Sequence, residues 1–440
     1  MGLNRLTTGR LSILGAGAAL SLVLSASANA QAPASGNTVR LGIVSFLTGP
    51  AAVPFGVPGK NSAELIIDAI NKGTLPAPYD KPGLGGVQIE ARYVDEAGST
   101  ANQVTEYRNL VQRDGVNAVV GYVSSGNCLA VAPVAEEMKT ITVLYDCGTP
   151  RIFEERAYNY VFRVTPTATM DSVGAARYVV DKKKDIPSFS GINQNYAWGQ
   201  DSWRDFVLAM KVLAPNAKID RELFPKFLAG EYGAEITSLL TSQAELVHTS
   251  FWGGDLESFI AQGLGRGLFQ RTVTIQSCGE SAMFRLGNRM PDGTIIGARG
   301  PHGVMARESE LNTWFQKAYT ERYGSPPTYP SYHMAQSILG LKAAWDKAAA
   351  AKGSQPTAEE VAGAFRGLEF DGPSTRISMA RANGHQGISE TAYGTFRFNK
   401  EKNQPEVVDI VRYPAECVNP PDGVTSQEWL EGGMKGAKCE

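Results

Sequence analysis

Val39-Arg-Leu-Gly-Ile-Val-Ser45, closed by the turn residues Thr48-Gly49-Pro50, is the stretch that decides the fold. It is rich in aliphatic and β-branched residues, the composition of a largely buried strand. After the turn, Ala63, Ile66, Ile67 and Ile70 recur at helical spacing between Lys60 and Asn71, and Gly73 stands where a helix terminator belongs. Val87 to Val94 then alternates apolar with polar residues, as a strand with one wetter face does. Thr100 followed by Gln103 reads as a capping box opening a helix striped by Val104, Tyr107 and Val111. The alternation continues with a strand at Val116–Gly121, a helix at Leu129–Lys139 and a strand at Thr140–Tyr145. It restarts with helices predicted over Met170–Lys182, Asp201–Leu213 and Leu256–Gln262, and strands over Ser188–Gln194, Ala244–Trp252 and Arg271–Gln276. Short loops between alternating strands and helices specify parallel sheets with helices on both faces. Two α/β units are implied, with any ligand at the carboxyl ends of the strands.

The first thirty residues read differently. Arg5 and Arg10 precede an apolar run from Leu11 to Leu24, and Ala28-Asn29-Ala30 has the small-x-small form that a signal peptidase cleaves. The run is shorter than the roughly 20 residues a spanning helix needs. The expectation is an exported chain, cleaved after Ala30, with no lipobox cysteine and no twin-arginine pair. Later in the chain no apolar stretch is long enough to cross a bilayer.

The whole sequence carries 42 Lys and Arg against 44 Asp and Glu, so its charge argues against nucleic-acid binding. Five cysteines in an oxidising compartment suggest disulfides with one left over. Cys417 and Cys439 flank a Gly- and Pro-rich tail and are paired first, Cys128 and Cys147 second, leaving Cys278 as a small buried thiol. The histidines are scattered and no CxxC occurs, so neither a metal nor another cofactor is expected. There is no Walker-type loop, no GxSxG and no HExxH. Gly263-Leu-Gly-Arg-Gly267 lacks the full dinucleotide-binding spacing and follows a helix. An enzyme is therefore not expected.

Several pieces occur in a telling order: Leu47-Thr-Gly-Pro50, Phe55-Gly56, Ile66-Ile67-Asp68-Ala69-Ile70-Asn71, Tyr93-Val-Asp-Glu96, Val116-Asn-Ala-Val-Val-Gly121 before Ser124-Ser125, Asn193-Gln-Asn-Tyr-Ala-Trp-Gly199 and Phe251-Trp-Gly-Gly-Asp255. Over about residues 39–400 the chain resembles the leucine/isoleucine/valine-type periplasmic binding proteins. That resemblance implies a two-lobed type I clamshell, each lobe a mostly parallel sheet flanked by helices, the lobes joined by three crossovers. Lobe 1 would be 38–166 and 301–370, lobe 2 would be 167–300 and 371–415, and 416–440 a disulfide-tied tail. It also implies a periplasmic monomer that closes on a small ligand by a hinge motion and hands it to an inner-membrane ABC permease.

Carried over residue by residue, the resemblance assigns a ligand carboxylate to Ser125, Gly148 and Thr149. Aromatic walls fall to Phe55, Trp198 and Trp252, with Tyr196 beside them, and the acidic partner of a ligand ammonium falls to Glu280. Each has a plainer reading: a helix cap at Ser125, core packing at the tryptophans, a solvated loop at Glu280. At Tyr145-Asp-Cys-Gly-Thr149 the chain departs from the family pattern, and Asp146 would repel an anion unless it points away. Cys128 and Cys147 would lie on neighbouring strand-to-helix loops, compatible with a bridge. The ligand expected is an amino acid, an amide or an aromatic acid. The same clamshell can instead serve a receptor or signalling partner, which fold alone does not separate.

Overall fold

The computed structural model describes residues 38–183 and 185–439; the segment read as an export signal lies outside the described residues. Strands β1 (Thr38–Ser45), β2 (Gln88–Asp95), β3 (Ala118–Gly121), β4 (Ile141–Leu144) and β5 (Val161–Arg163) pair in parallel in the order β5-β4-β3-β1-β2. A second parallel set follows: β6 (Ser188–Ile192), β7 (Lys218–Leu223), β8 (Leu246–Thr249), β9 (Val273–Gln276) and β10 (Ile295–Gly297), in the order β10-β9-β8-β6-β7. The chain then returns to the first sheet with β11 (Glu369–Asp371), β12 (Arg376–Arg381) and β13 (Gln386–Ile388), and to the second with β14 (Thr391–Asn399) and β15 (Gln404–Tyr413). The fold is α/β, with helices against both sheets.

Burial explains the pattern. All four residues of β3 and of β4 are buried, because helices cover both faces, and each fully buried Val or Ile contributes about 1.5–3 kcal/mol. Strand β2 lies at an edge and is only partly covered, hence its alternation. Gly73 takes the left-handed conformation (φ 63°) that ends the helix Val57–Lys72. The helix Thr100–Gln112 is capped one residue earlier than expected, by Ser99, whose side chain accepts from the Asn102 amide. Two helices also start earlier than their apolar stripes suggested, at Ser125 and Ala197, because Gly126 and Asn127 in one first turn and Gly199 and Gln200 in the other break the apolar periodicity.

The chain passes between the sheets after β5, after β10 and after β13. The third passage was expected near Asp371. It occurs instead at Ser389-Glu390, because β12 and β13 pair onto the edge of β5 and extend the first sheet. Cys128–Cys147 and Cys417–Cys439 are bridged, and Cys278 is a buried thiol. The tail packs Cys417, Val418, Trp429 and Leu430 into the core beneath the helices Ala168–Lys182 and Ala197–Leu213. Among the described residues no helix is long and apolar enough to cross a membrane.

The bridge closes the tail between these core contacts and the chain end, so it should add to their hold. Replacing Cys417 and Cys439 together by Ser should lower stability by about 2–4 kcal/mol. Urea unfolding of the double variant measures this, and an unchanged midpoint would mean that the core contacts alone hold the tail.

Candidate functional site

The carboxyl ends of the parallel strands in both sheets converge on one cavity of about 200 Å³. Five of the expected residues line it: Phe55 after β1, Gly148 after β4, Tyr196 and Trp198 after β6, and Trp252 after β8. Asp146, Cys278, Arg299 and Tyr329 complete much of the wall. The space accommodates about one water molecule. The apolar core of the first sheet continues through Trp198 and Trp252 into Cys278 and Ala298, so the two sheets meet across this cavity.

Its aromatic wall is interlocked. Phe55 meets Trp252 edge-on with centroids 5.0 Å apart and Tyr329 at 5.5 Å, arrangements favoured by ring quadrupoles. The indole N–H of Trp252 donates to the Tyr196 hydroxyl (2.8 Å), and that of Trp198 to the Ser250 carbonyl (2.8 Å). Glycine is required at 148 because a Cβ there would collide with the Trp198 ring.

Across that ring lies the feature the sequence did not reveal. The Arg299 guanidinium stacks on Trp198 at 4.4 Å from the centroid. It donates to the Asp171 carboxylate (3.0 Å), to the Pro166 carbonyl (2.9 Å) and to both the carboxylate and the carbonyl of Asp146. Asp146 therefore does point toward charge, but toward the protein's own cation. Burial raises the carboxyls of Asp146 and Asp171 to about 7, opposed by Arg299, which is itself held charged between them. His333 places Nδ1 against Asp146 (2.7 Å) and Nε2 against the Arg299 carbonyl (2.8 Å). Burial, then Arg299, holds the imidazole well below its usual range.

The expected carboxylate pocket is organised differently. Ser125 and Thr149 are buried outside the cavity wall. The Thr149 amide donates to Ser125 Oγ (3.2 Å), and the Thr149 hydroxyl donates to Asp201 (2.5 Å). Asp201, on the helix Ala197–Leu213, also takes two bonds from Arg151 (2.9 and 2.6 Å), tying the two halves together. The amides that could have met a ligand anion are already engaged: those of Val123 and Ser124 donate to Glu96 (2.7 and 2.8 Å). Glu96, closing the motif Tyr93-Val-Asp-Glu96, thus plays an anion's part internally, and burial pushes its carboxyl up to about 8.

Glu280 is likewise buried outside the cavity wall, neither a solvated loop residue nor a lining one. One carboxyl oxygen accepts from the Tyr329 amide (2.7 Å), anchoring the start of the helix Tyr329–Lys352; the other has no partner among the described residues. Burial pushes its carboxyl up to about 8. Among the described residues no group of His, Cys, Asp or Glu could hold a metal ion.

Two facing sheets with a cleft at their strand ends agree with what this chain is similar to. A family profile described as periplasmic binding protein matches residues 38–401. The chain belongs to the periplasmic binding protein family. This is a family of binding proteins, not of enzymes. The Leu/Ile/Val-binding protein BraC3 of Rhizobium johnstonii is 30% identical over 171 residues, 39% of this chain and 43% of that protein, so the match spans under half of that relative. Among solved structures, a solute-binding protein of an ABC transporter from Rhodopseudomonas palustris in complex with 3,4-dihydroxybenzoic acid superposes with TM-score 0.72. It is 19% identical, covering 86% of this chain and 98% of that one. The leucine-binding protein LivK of Thermotoga maritima superposes with TM-score 0.68 at 15% identity, covering 85% and 98%. The type I architecture of these binding proteins is the fold described above.

Glu280 gives this site a measurable pH signature. A carboxyl raised to about 8 in the folded protein and near 4.3 unfolded binds more protons when folded, so its contribution to stability falls as pH rises between those values. Glu280→Gln should therefore gain relative to the parent on going from pH 5 to pH 8, as melting temperatures at the two pH values will show. A difference independent of pH would mean that Glu280 is ionised throughout.

Proposed function

We propose that this chain is the extracytoplasmic solute-binding subunit of an ABC importer, working as a monomer. It would capture an amino acid or a related small carboxylate or amide between the two sheets and deliver it to an inner-membrane permease. The observation that carries the reading is the aromatic-walled cavity at the strand ends of both sheets. Export is supported by the apolar run Leu11–Leu24 and the Ala28-Asn29-Ala30 site.

Among these ligands an aromatic acid has the most support. Phe55, Trp198, Trp252 and Tyr329 offer flat apolar faces, and Arg299 lines the same space with one N–H beyond its bonds to Asp146, Asp171 and the Pro166 carbonyl. The carboxyl proposed for a ligand ammonium, Glu280, is committed to the Tyr329 amide instead. At about 200 Å³ the cavity is below the 300–1,000 Å³ usual for small-molecule sites, so a ligand enters only when the sheets part and is then enclosed by their return.

A thermal-shift screen over amino acids, amides and aromatic acids identifies the ligand class, since a ligand at about 100 times its Kd stabilises by about 2.7 kcal/mol. With that ligand, Trp252→Ala should weaken binding by about 2–4 kcal/mol in calorimetry. Unchanged affinity with a collapsed melting temperature would place Trp252 in the core alone and move the site elsewhere.

A further inference from the structure

A second cavity, of about 670 Å³, shares no lining residue with the aromatic cleft and lies where the loop after β4, strand β12 and the C-terminal tail come together. Two arginines line it, Arg163 and Arg381, and both are more than nine-tenths buried. Arg163 donates to the carbonyls of Cys147 (2.8 Å) and Thr149 (2.7 Å) and to Gln386 (2.6 Å). Among the described residues no carboxylate lies within ion-pair distance of it. Arg381 donates to the Val424 carbonyl (2.9 Å) and forms a long ion pair with Glu154 (3.5 Å), and its buried Nε has no partner. Glu154 is already engaged by the amide and hydroxyl of Ser426 (2.9 and 2.6 Å). The other acid at the rim, Asp422, is exposed and accepts from the Ala382 amide (2.8 Å).

A buried guanidinium is costly without a counter-charge, and a buried donor without an acceptor adds to that cost. Arg163 carries the first deficit and Arg381 the second, and both side chains line one partly open cavity. We propose that this cavity is a second binding site, distinct from the aromatic cleft, for a small oxyanion, carboxylate or phosphate, held by Arg163 and Arg381. Guanidinium groups suit such ligands because their planar N–H donors match oxyanion geometry. Burial, then the nearby Arg299 charge, depresses Arg163 to about 9, which an anion beside it would reverse.

The position gives the site a consequence. Arg163 and Arg381 belong to the first sheet, Thr167 to the passage between sheets, and Val424 and Thr425 to the tail that packs under the second sheet's helices. An anion there depends on all three keeping their present arrangement, and so favours it.

The test is calorimetric titration of the protein from Gln31 onward with inorganic phosphate and with citrate, against chloride at equal ionic strength. Saturable binding of either oxyanion is expected; which of the two binds tells phosphate from carboxylate. Arg381→Gln should weaken it at least about tenfold, as loss of a charge-assisted hydrogen bond does. Asn383→Asp, at an exposed rim residue whose left-handed backbone Asp also tolerates, should weaken it by repulsion without touching the fold. Tyr196→Phe, which removes only a hydroxyl bonded to Trp252 in the aromatic cleft, should leave it intact, which separates the two sites. Absence of saturable binding by both oxyanions, binding that survives both Arg381→Gln and Asn383→Asp, or binding lost in a folded Tyr196→Phe would overturn the proposal.

Discussion

Arg299 is the residue on which the arrangement of the two sheets turns. Its backbone belongs to the passage leaving β10, its guanidinium reaches the Asp146 loop of the first sheet, and its carbonyl is held by His333. One cation thus meets two carboxyls and a second strand of chain, all shielded from water. Assembling such a group is expensive in desolvation, and its net contribution to stability is modest. Removing a single member is another matter, since an uncompensated buried charge costs about 3–5 kcal/mol. The cluster therefore specifies one mutual placement of the sheets more than it adds to their strength, and the cleft residues around it inherit that placement.

Through residue 276 the strands that are apolar and bounded by turn residues were legible, but β5, of 3 residues, and β7, a polar and partly exposed edge strand, were missed, as was the helix Gly233–Leu240. Beyond that point the sequence speaks less clearly. The helix Tyr329–Lys352 is buried around most of its circumference, so it shows no single apolar stripe. Strands β11 to β13 are brief and gain their place only by pairing with β5, some two hundred residues earlier in the chain. No local pattern encodes such a partner, which is why the third passage was expected too early.

The cleft divides along the same line. Phe55, Gly148, Tyr196, Trp198 and Trp252 follow strand ends, and strand ends were readable; these residues do line the cavity. Arg299 and Tyr329 owe their positions to tertiary packing and were invisible. Asp146 was noticed as a departure, yet its meaning lay in a cation 153 residues away. Ser125, Thr149 and Glu280 have the chemistry of ligand contacts, but Glu96, Asp201 and Tyr329 satisfy that chemistry from within the protein. Residue type showed what each group could do, not which partner would reach it first.

The return of the chain to both sheets also governs how the molecule can be made. The first sheet is not complete until β13 at Gln386–Ile388 has been added, nor the second until β15 at Gln404–Tyr413. A chain emerging amino end first, from a ribosome or through a membrane pore, cannot finish one half and then start the other. Its long-range pairings close late and slowly. Nearly the whole polypeptide must be present in a loose, unfinished form before either half can settle, a delay that keeps the chain threadable for most of its synthesis.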